Sequence, residues 1–168
     1  LSGYIKTKSI TNGSVNAGAF VCAESFNSDG TSTPYFSEFV LDNTDTSIDN
    51  GWQRLSVTFT VPENSSKTRI NLALKQSTGS AYFDGIQPEK YNVANNYNML
   101  ENSGLETYSS NGLPTNWVDA FSTLNSSTDK VSGTHQEGSY SFRIKGESNK
   151  IKSLYQQVNV SGSENDTY

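Results

Sequence analysis

The residues that could do chemistry here are few, and their types narrow the choice. Cys22 is the sole cysteine and His135 the sole histidine in a chain of 168 residues. A catalytic thiol needs a neighbouring base, and no sequence feature brings these two together. Cys22 lies in the apolar run Ala19 to Ala23 and reads as a small buried hydrophobe. Its lack of a partner also excludes an internal disulfide. No G-x-S-x-G, H-E-x-x-H, phosphate-binding loop or Cys/His ligand set is present. Paired carboxylates could serve a glycosidase. The acidic residues, however, fall mainly in Asp/Asn/Thr loops, which commonly form solvated turns. The chain is therefore expected to be non-enzymatic.

What remains is recognition chemistry. Sugars are bound by flat aromatic faces packed on pyranose C–H groups, with amide and charged donors beside them. Tyr155, Gln157, Arg143 and Arg54 all occupy the non-core phase of alternating segments. They are expected to line an open sheet face as a polar groove with one aromatic platform. Tyr35, Phe36 and Tyr108, near loops, offer a second site at one tip.

Such groups need a rigid frame, and the pattern supplies one. Helix signals are nearly absent. Strand signals recur at short intervals between clusters of Gly, Asn, Ser and Asp. Strands are predicted at Ser2–Ile10, Gly18–Phe26, Tyr35–Leu41, Trp52–Val61, Arg69–Lys75 and Ser80–Gln87. After a polar connector come Met99–Glu106, Trp117–Leu124, Ser139–Lys145 and Ser153–Val160. Leu55, Val57, Phe59 and Val61 alternate with Arg54, Ser56, Thr58 and Thr60, so one face is buried. About ten such strands predict an all-β, two-sheet antiparallel sandwich. A content of 33% hydrophobic and 11% aromatic residues fits a folded domain with a thin core rich in Tyr and Phe.

The net charge is −5, and no run of Lys or Arg stands out. That argues against nucleic acid and against an anionic membrane surface. No apolar run has the length of a transmembrane helix. The chain starts at Leu1 without an initiator Met or signal peptide, and is expected to be a fragment or processed piece.

Several segments carry a resemblance. Met99-Leu100-Glu101-Asn102-Ser103-Gly104-Leu105-Glu106 is similar to the opening strand of jelly-roll carbohydrate-binding modules of families four, nine, sixteen and twenty-two. Gly112 to Trp117, Glu137 to Ile144 and Tyr155 to Val158 resemble the elements that follow it. Ser2 to Thr7, Trp52 to Pro62 and Tyr82-Phe83-Asp84-Gly85-Ile86-Gln87 resemble the later strands, the last being the closing one. The motifs thus run in rotated order. Residues 1–90 look like the back half of a module, 91–98 a connector and 99–168 a front half. A cut through tandem jelly-roll repeats of bacterial, wall-associated or YD-repeat proteins would give this order.

The resemblance implies a jelly roll, circularly permuted or assembled from two half-modules. It also implies a secreted, extracellular and cell-wall-associated setting and a polysaccharide or cell-surface glycan as partner. The alternative role is a spacer repeat that binds no sugar. Trp117 and Trp52 fall in motifs that usually fill the core. The resemblance further implies a structural Ca²⁺, held by Glu106 and Asp84 with backbone carbonyls at Glu137, Gly138 and Ser139. Oxygen donors without nitrogen or sulfur suit that ion. Gly85 departs from the pattern, which often has a second Asp there. The two halves are expected to close within one chain, with Leu1 near Tyr168. The competing outcome is a strand-swapped dimer.

Overall fold

A computed structural model describes residues 1–11, 16–41, 51–63, 65–89 and 98–159. It is all-β, with no helix among the described residues and two antiparallel five-stranded sheets. The strands are β1 (Ser2–Lys8), β2 (Gly18–Asn27), β3 (Ser32–Phe36), β4 (Gln53–Ser56) and β5 (Ser65–Lys75). They continue with β6 (Ser80–Gln87), β7 (Val118–Asp119), β8 (Lys130–Ser132), β9 (Ser141–Lys145) and β10 (Ile151–Val158). One sheet has the order β4-β1-β6-β9-β8; the other, β3-β2-β5-β10-β7. Among the described residues no helix is long and apolar enough to cross a membrane.

Period-two alternation explains the sandwich. Ile5 on β1, Phe83 on β6, Phe142 and Ile144 on β9, Ile70, Leu72 and Leu74 on β5 and Leu154 on β10 form one core between the sheets. Phe83 and Phe142 are fully buried, each contributing on the order of 1.5–3 kcal/mol by leaving water. Leu55, Val57, Phe59 and Val61 pack on this core, as their alternation predicts, although the strand itself ends at Ser56.

The 1–90 and 99–168 segments are woven together. In the first sheet β6 pairs with β9, and in the second β5 pairs with β10 along eight residues, Ile151↔Lys75 through Val158↔Thr68. Both sheets are completed within one chain. Most of the connector and Tyr168 lie outside the described residues, so the Leu1–Tyr168 proximity does too.

Two predicted strands are corrected. Met99–Glu106 forms turns, with Leu100 and Leu105 buried as plugs. The reason is Asn102. Its Oδ1 accepts the Glu106 and Thr107 N–H groups at 2.9 and 3.1 Å, and its Nδ2 donates to the Thr107 and Thr115 carbonyls. A side chain that satisfies its own backbone competes with a ladder. Likewise Trp117–Leu124 keeps only the two residues of β7. Asp119 accepts the N–H groups of Phe121, Thr123 and Leu124, folding the rest into a loop.

Candidate functional site

Two carboxylates meet under the β8–β9 loop. Asp84 sits on β6, where strand alternation points it outward, yet it is fully buried because the loop covers it. Its Oδ2 accepts the N–H groups of Gln136 and Glu137 at 2.7 and 3.0 Å. Its Oδ1 is buried and has no hydrogen-bond partner. Glu106 receives the Ser139 N–H at 3.1 and 3.0 Å on its two oxygens and the Tyr140 N–H at 3.2 Å. Burial raises the Asp84 carboxyl above the usual range, and the neighbouring Glu106 charge adds to the rise.

Glycine makes the approach possible. Gly138 has φ +62°, and a Cβ there would stand 2.2 Å from Glu106 Oε1. Gly85 has φ +54°, in the left-handed region that favours glycine.

The structure therefore brings Glu106, Asp84, Glu137, Gly138 and Ser139 together. The contacts that Glu137 and Ser139 make with the carboxylates are N–H donations, where carbonyls were expected. The orphaned Asp84 oxygen and the paired like charges suit a hard divalent cation. Among the described residues no group of three or more His, Cys, Asp or Glu side chains could hold a metal. A cation here would complete its shell with carbonyls or water.

The outer face of the second sheet carries the other candidate site. Tyr155 on β10 lies in register with Asn71 on β5 and Val118 on β7. The Arg69 guanidinium stands 4.5 Å from the Tyr155 ring centre and 4.7 Å from that of Phe26. Two rings thus hold one cation in place. Beside Tyr155, at the β10 edge next to β7, opens a groove of about 710 Å³ walled by Glu101, Asn116 and Gln157 and by the inward-phase Gln156 and Val158. Asn116 Nδ2 donates to Glu101 Oε2. Gln156, facing inward, exchanges hydrogen bonds with the Glu101 backbone at 2.8 and 2.9 Å, which fixes that wall. Further along the same face a smaller, apolar cleft of about 180 Å³ is lined by Phe20, Phe36 and Phe121 among others.

The predicted sugar-contact residues do not share one face. Tyr155 and Gln157 belong to the second sheet, whereas Arg143 and Arg54 project from the first. Strand phase alone cannot tell which sheet a strand joins. Arg143 donates twice to the Thr128 carbonyl, at 3.0 and 2.9 Å. Arg54 lies 5.2 Å from the Tyr4 ring centre and bonds Ser2 Oγ at 2.8 Å. Tyr35 packs toward the core against Phe59, and its hydroxyl donates to the Thr60 carbonyl at 2.9 Å. It therefore braces the sandwich instead of forming a tip platform. Phe36 faces outward and 48% exposed.

Trp117 is buried, with its indole N–H donated to the Asn102 carbonyl at 3.2 Å, and Trp52 is half-buried. Cys22 is buried on the outer side of the second sheet with Phe20, Ala73 and Phe39. Desolvation pushes its thiol up to about 12. His135 lies in the β8–β9 loop, on the other sheet. Arg69, Phe26, Asn116 and Glu101 were not anticipated, because only the β2–β5–β10 register and the Asn102 turn bring them to Tyr155.

No family model matches the chain, and no solved structure does. Over 66 residues, 37% of the chain, it is 33% identical to "tRNA nuclease WapA" of Bacillus subtilis (strain 168) and to "tRNA(Glu)-specific nuclease WapA" of Bacillus subtilis subsp. natto. It is 32% identical over 66 residues to "tRNA3(Ser)-specific nuclease WapA" of Bacillus spizizenii. The match spans 3% of each of these proteins, so the activity in their names belongs to far longer chains.

Proposed function

We propose that this chain is a non-catalytic, extracellular module of the jelly-roll carbohydrate-binding type, recognising a polysaccharide or cell-surface glycan through the outer face of the β3-β2-β5-β10-β7 sheet. The observation that carries the reading is the ordered Phe26–Arg69–Tyr155 stack beside the groove walled by Gln157, Asn116 and Glu101. An aromatic platform fixed by a cation gives sugar C–H groups a flat surface. Amide and carboxylate groups at its edge match hydroxyls. In this reading Arg143 and Arg54 leave the sugar site.

Ca²⁺ is part of the same proposal, as a structural ion. Asp84 Oδ1 and the Glu106 carboxylate would hold it, and it would clamp the β8–β9 loop to β6 while neutralising two adjacent charges. A secreted or wall-associated setting belongs to the reading as well.

The test is a glycan-array screen with and without chelator, followed by calorimetry on any hit. Tyr155→Ala should weaken binding at least tenfold while the melting temperature stays within a few degrees. Unchanged affinity in that variant would move the site elsewhere.

A second reading is a spacer repeat of a large surface protein. It is favoured by the match to so small a part of very long proteins. A folded monomer silent on every glycan would support it. Light scattering would separate that monomer from a strand-swapped dimer, which would pair the same strands between two chains.

A further inference from the structure

Folding gathers cations that the sequence scatters. Six of the twelve Lys and Arg residues project from the outer face of the β4-β1-β6-β9-β8 sheet: Lys6, Lys8, Arg54, Lys130, Arg143 and Lys145. Their strand neighbours Ile5, Thr7, Phe142 and Ile144 are buried, which fixes the outward phase. Cross-strand register arranges them in rows. Lys6, Tyr82, Arg143 and Lys130 lie side by side, and Lys8, Ser80 and Lys145 form the next row. Arg54 and Tyr4 begin a third.

With strands about 4.8 Å apart, the longest row spans roughly 15 Å. Asp84 is the only carboxylate at the outward positions of these five strands, and it is buried under the β8–β9 loop. Beyond it, only Glu24 and Asp119 among the acidic residues lie on the ten strands. Glu106 and Glu137 gather with Asp84 along the Tyr4 row under the covering loop, and the Lys6 and Lys8 rows beside them form a cationic plane on an acidic chain.

We propose that this plane is a second binding surface, for a linear anionic polysaccharide bearing carboxylate or sulfate groups. It stands apart from the glycan face proposed above, on the opposite sheet. Three observations favour a charged glycan over nucleic acid. Both guanidiniums are engaged, Arg143 by the Thr128 carbonyl and Arg54 by Tyr4, Ser2 and Gln87, so neither is free for a bidentate grip on phosphate. Three of the four exposed cations on this face are ammonium groups, Lys8, Lys130 and Lys145, which act as point charges. Hydroxyl groups of Ser80 and Tyr82 interleave the charges, as a hydroxylated chain would require.

The experiment is affinity electrophoresis of the purified chain through polygalacturonate, dextran sulfate or neutral dextran, with polyuridylate as competitor and NaCl varied. Retardation by one or both charged glycans, absent with dextran, is expected, and the two gels separate carboxylate from sulfate recognition. The triple variant Lys8→Ser, Lys130→Ser, Lys145→Ser should lose roughly tenfold or more in affinity, with a log-affinity against log-salt slope shallower by about 2. A control of equal charge, Lys67→Ser, Lys75→Ser, Lys150→Ser, should change affinity less than twofold. Equal losses in the two triples would reduce the effect to net charge and overturn the site. No retardation by either charged glycan at low salt would overturn it too, as would tighter binding of polyuridylate than of both. Neutral-glycan binding should persist in the first triple variant, so failure of one reading does not imply failure of the other.

Discussion

Replacing Gly138 by Ala tests how tightly the β8–β9 loop is cinched to Glu106. Alanine at φ +62° costs about 1–2 kcal/mol from backbone strain alone. Its Cβ would also stand 2.2 Å from Glu106 Oε1, so the carboxylate must withdraw. Withdrawal forfeits the N–H donors of Ser139 and Tyr140. Hydrogen bonds to a charged group are worth about 1.5–3 kcal/mol each, and the lower figure applies on this exposed loop. The sum is about 4–5 kcal/mol, a melting-temperature drop of roughly 8–20 °C for a chain of this size. A double-mutant cycle isolates the clash. In a Glu106→Ala background the cost of Gly138→Ala should shrink to the strain alone, leaving a coupling of about 3 kcal/mol. Urea denaturation of the four proteins measures it. Equal costs of Gly138→Ala in both backgrounds would refute the reasoning.

Lys152 is 1% exposed and pairs with Asp129 and Glu147, at 2.8 Å each, so Lys152→Met should destabilise by about 3–5 kcal/mol by stranding buried Asp129. Adding Asp129→Asn, which removes the stranded charge and keeps one oxygen for the Lys145 N–H but gives up the acceptor of the Asn125 N–H, should restore part of the loss in denaturant melts. Asp84 binds its proton more tightly folded than unfolded. In chelator, unfolding free energy should therefore fall as pH rises from the ordinary carboxylate range through the raised folded value. The difference between wild type and Asp84→Asn across that window is the readout; a difference that does not vary with pH would contradict the sign. With its thiol pushed up to about 12 and buried, Cys22 should resist thiol reagents at pH 8 until denaturant is added. Rapid labelling of the native chain would show that the Phe20–Phe39 cluster does not cover it.

The sandwich was legible because alternation is local. Leu55 to Val61 and Phe142 to Ile144 state their buried face within a few residues. The turn at Asn102 was not legible, since the motif around it reads as a strand until its side chain is seen taking four backbone partners. Strand phase placed Tyr155 and Arg143 equally outward but could not tell that outward means opposite sides of the molecule. The Glu106–Asp84 pairing was reached through resemblance alone. Lys8 and Lys145 illustrate what no window reveals: 137 positions separate them, and only the pairing of each with Ser80 makes them neighbours.

The weaving of the two segments has a consequence for cleavage. A single proteolytic nick between residues 89 and 98 would sever the covalent link but not the β5–β10 and β6–β9 ladders. The fragments would remain a non-covalent complex, and folding would become a bimolecular reaction whose midpoint rises with concentration. Separately expressed 1–89 and 98–168 peptides would then behave as complementing fragments. Mixing them would recover strand signal that neither piece carries alone, because each leaves the ladder face of a central strand without its partner.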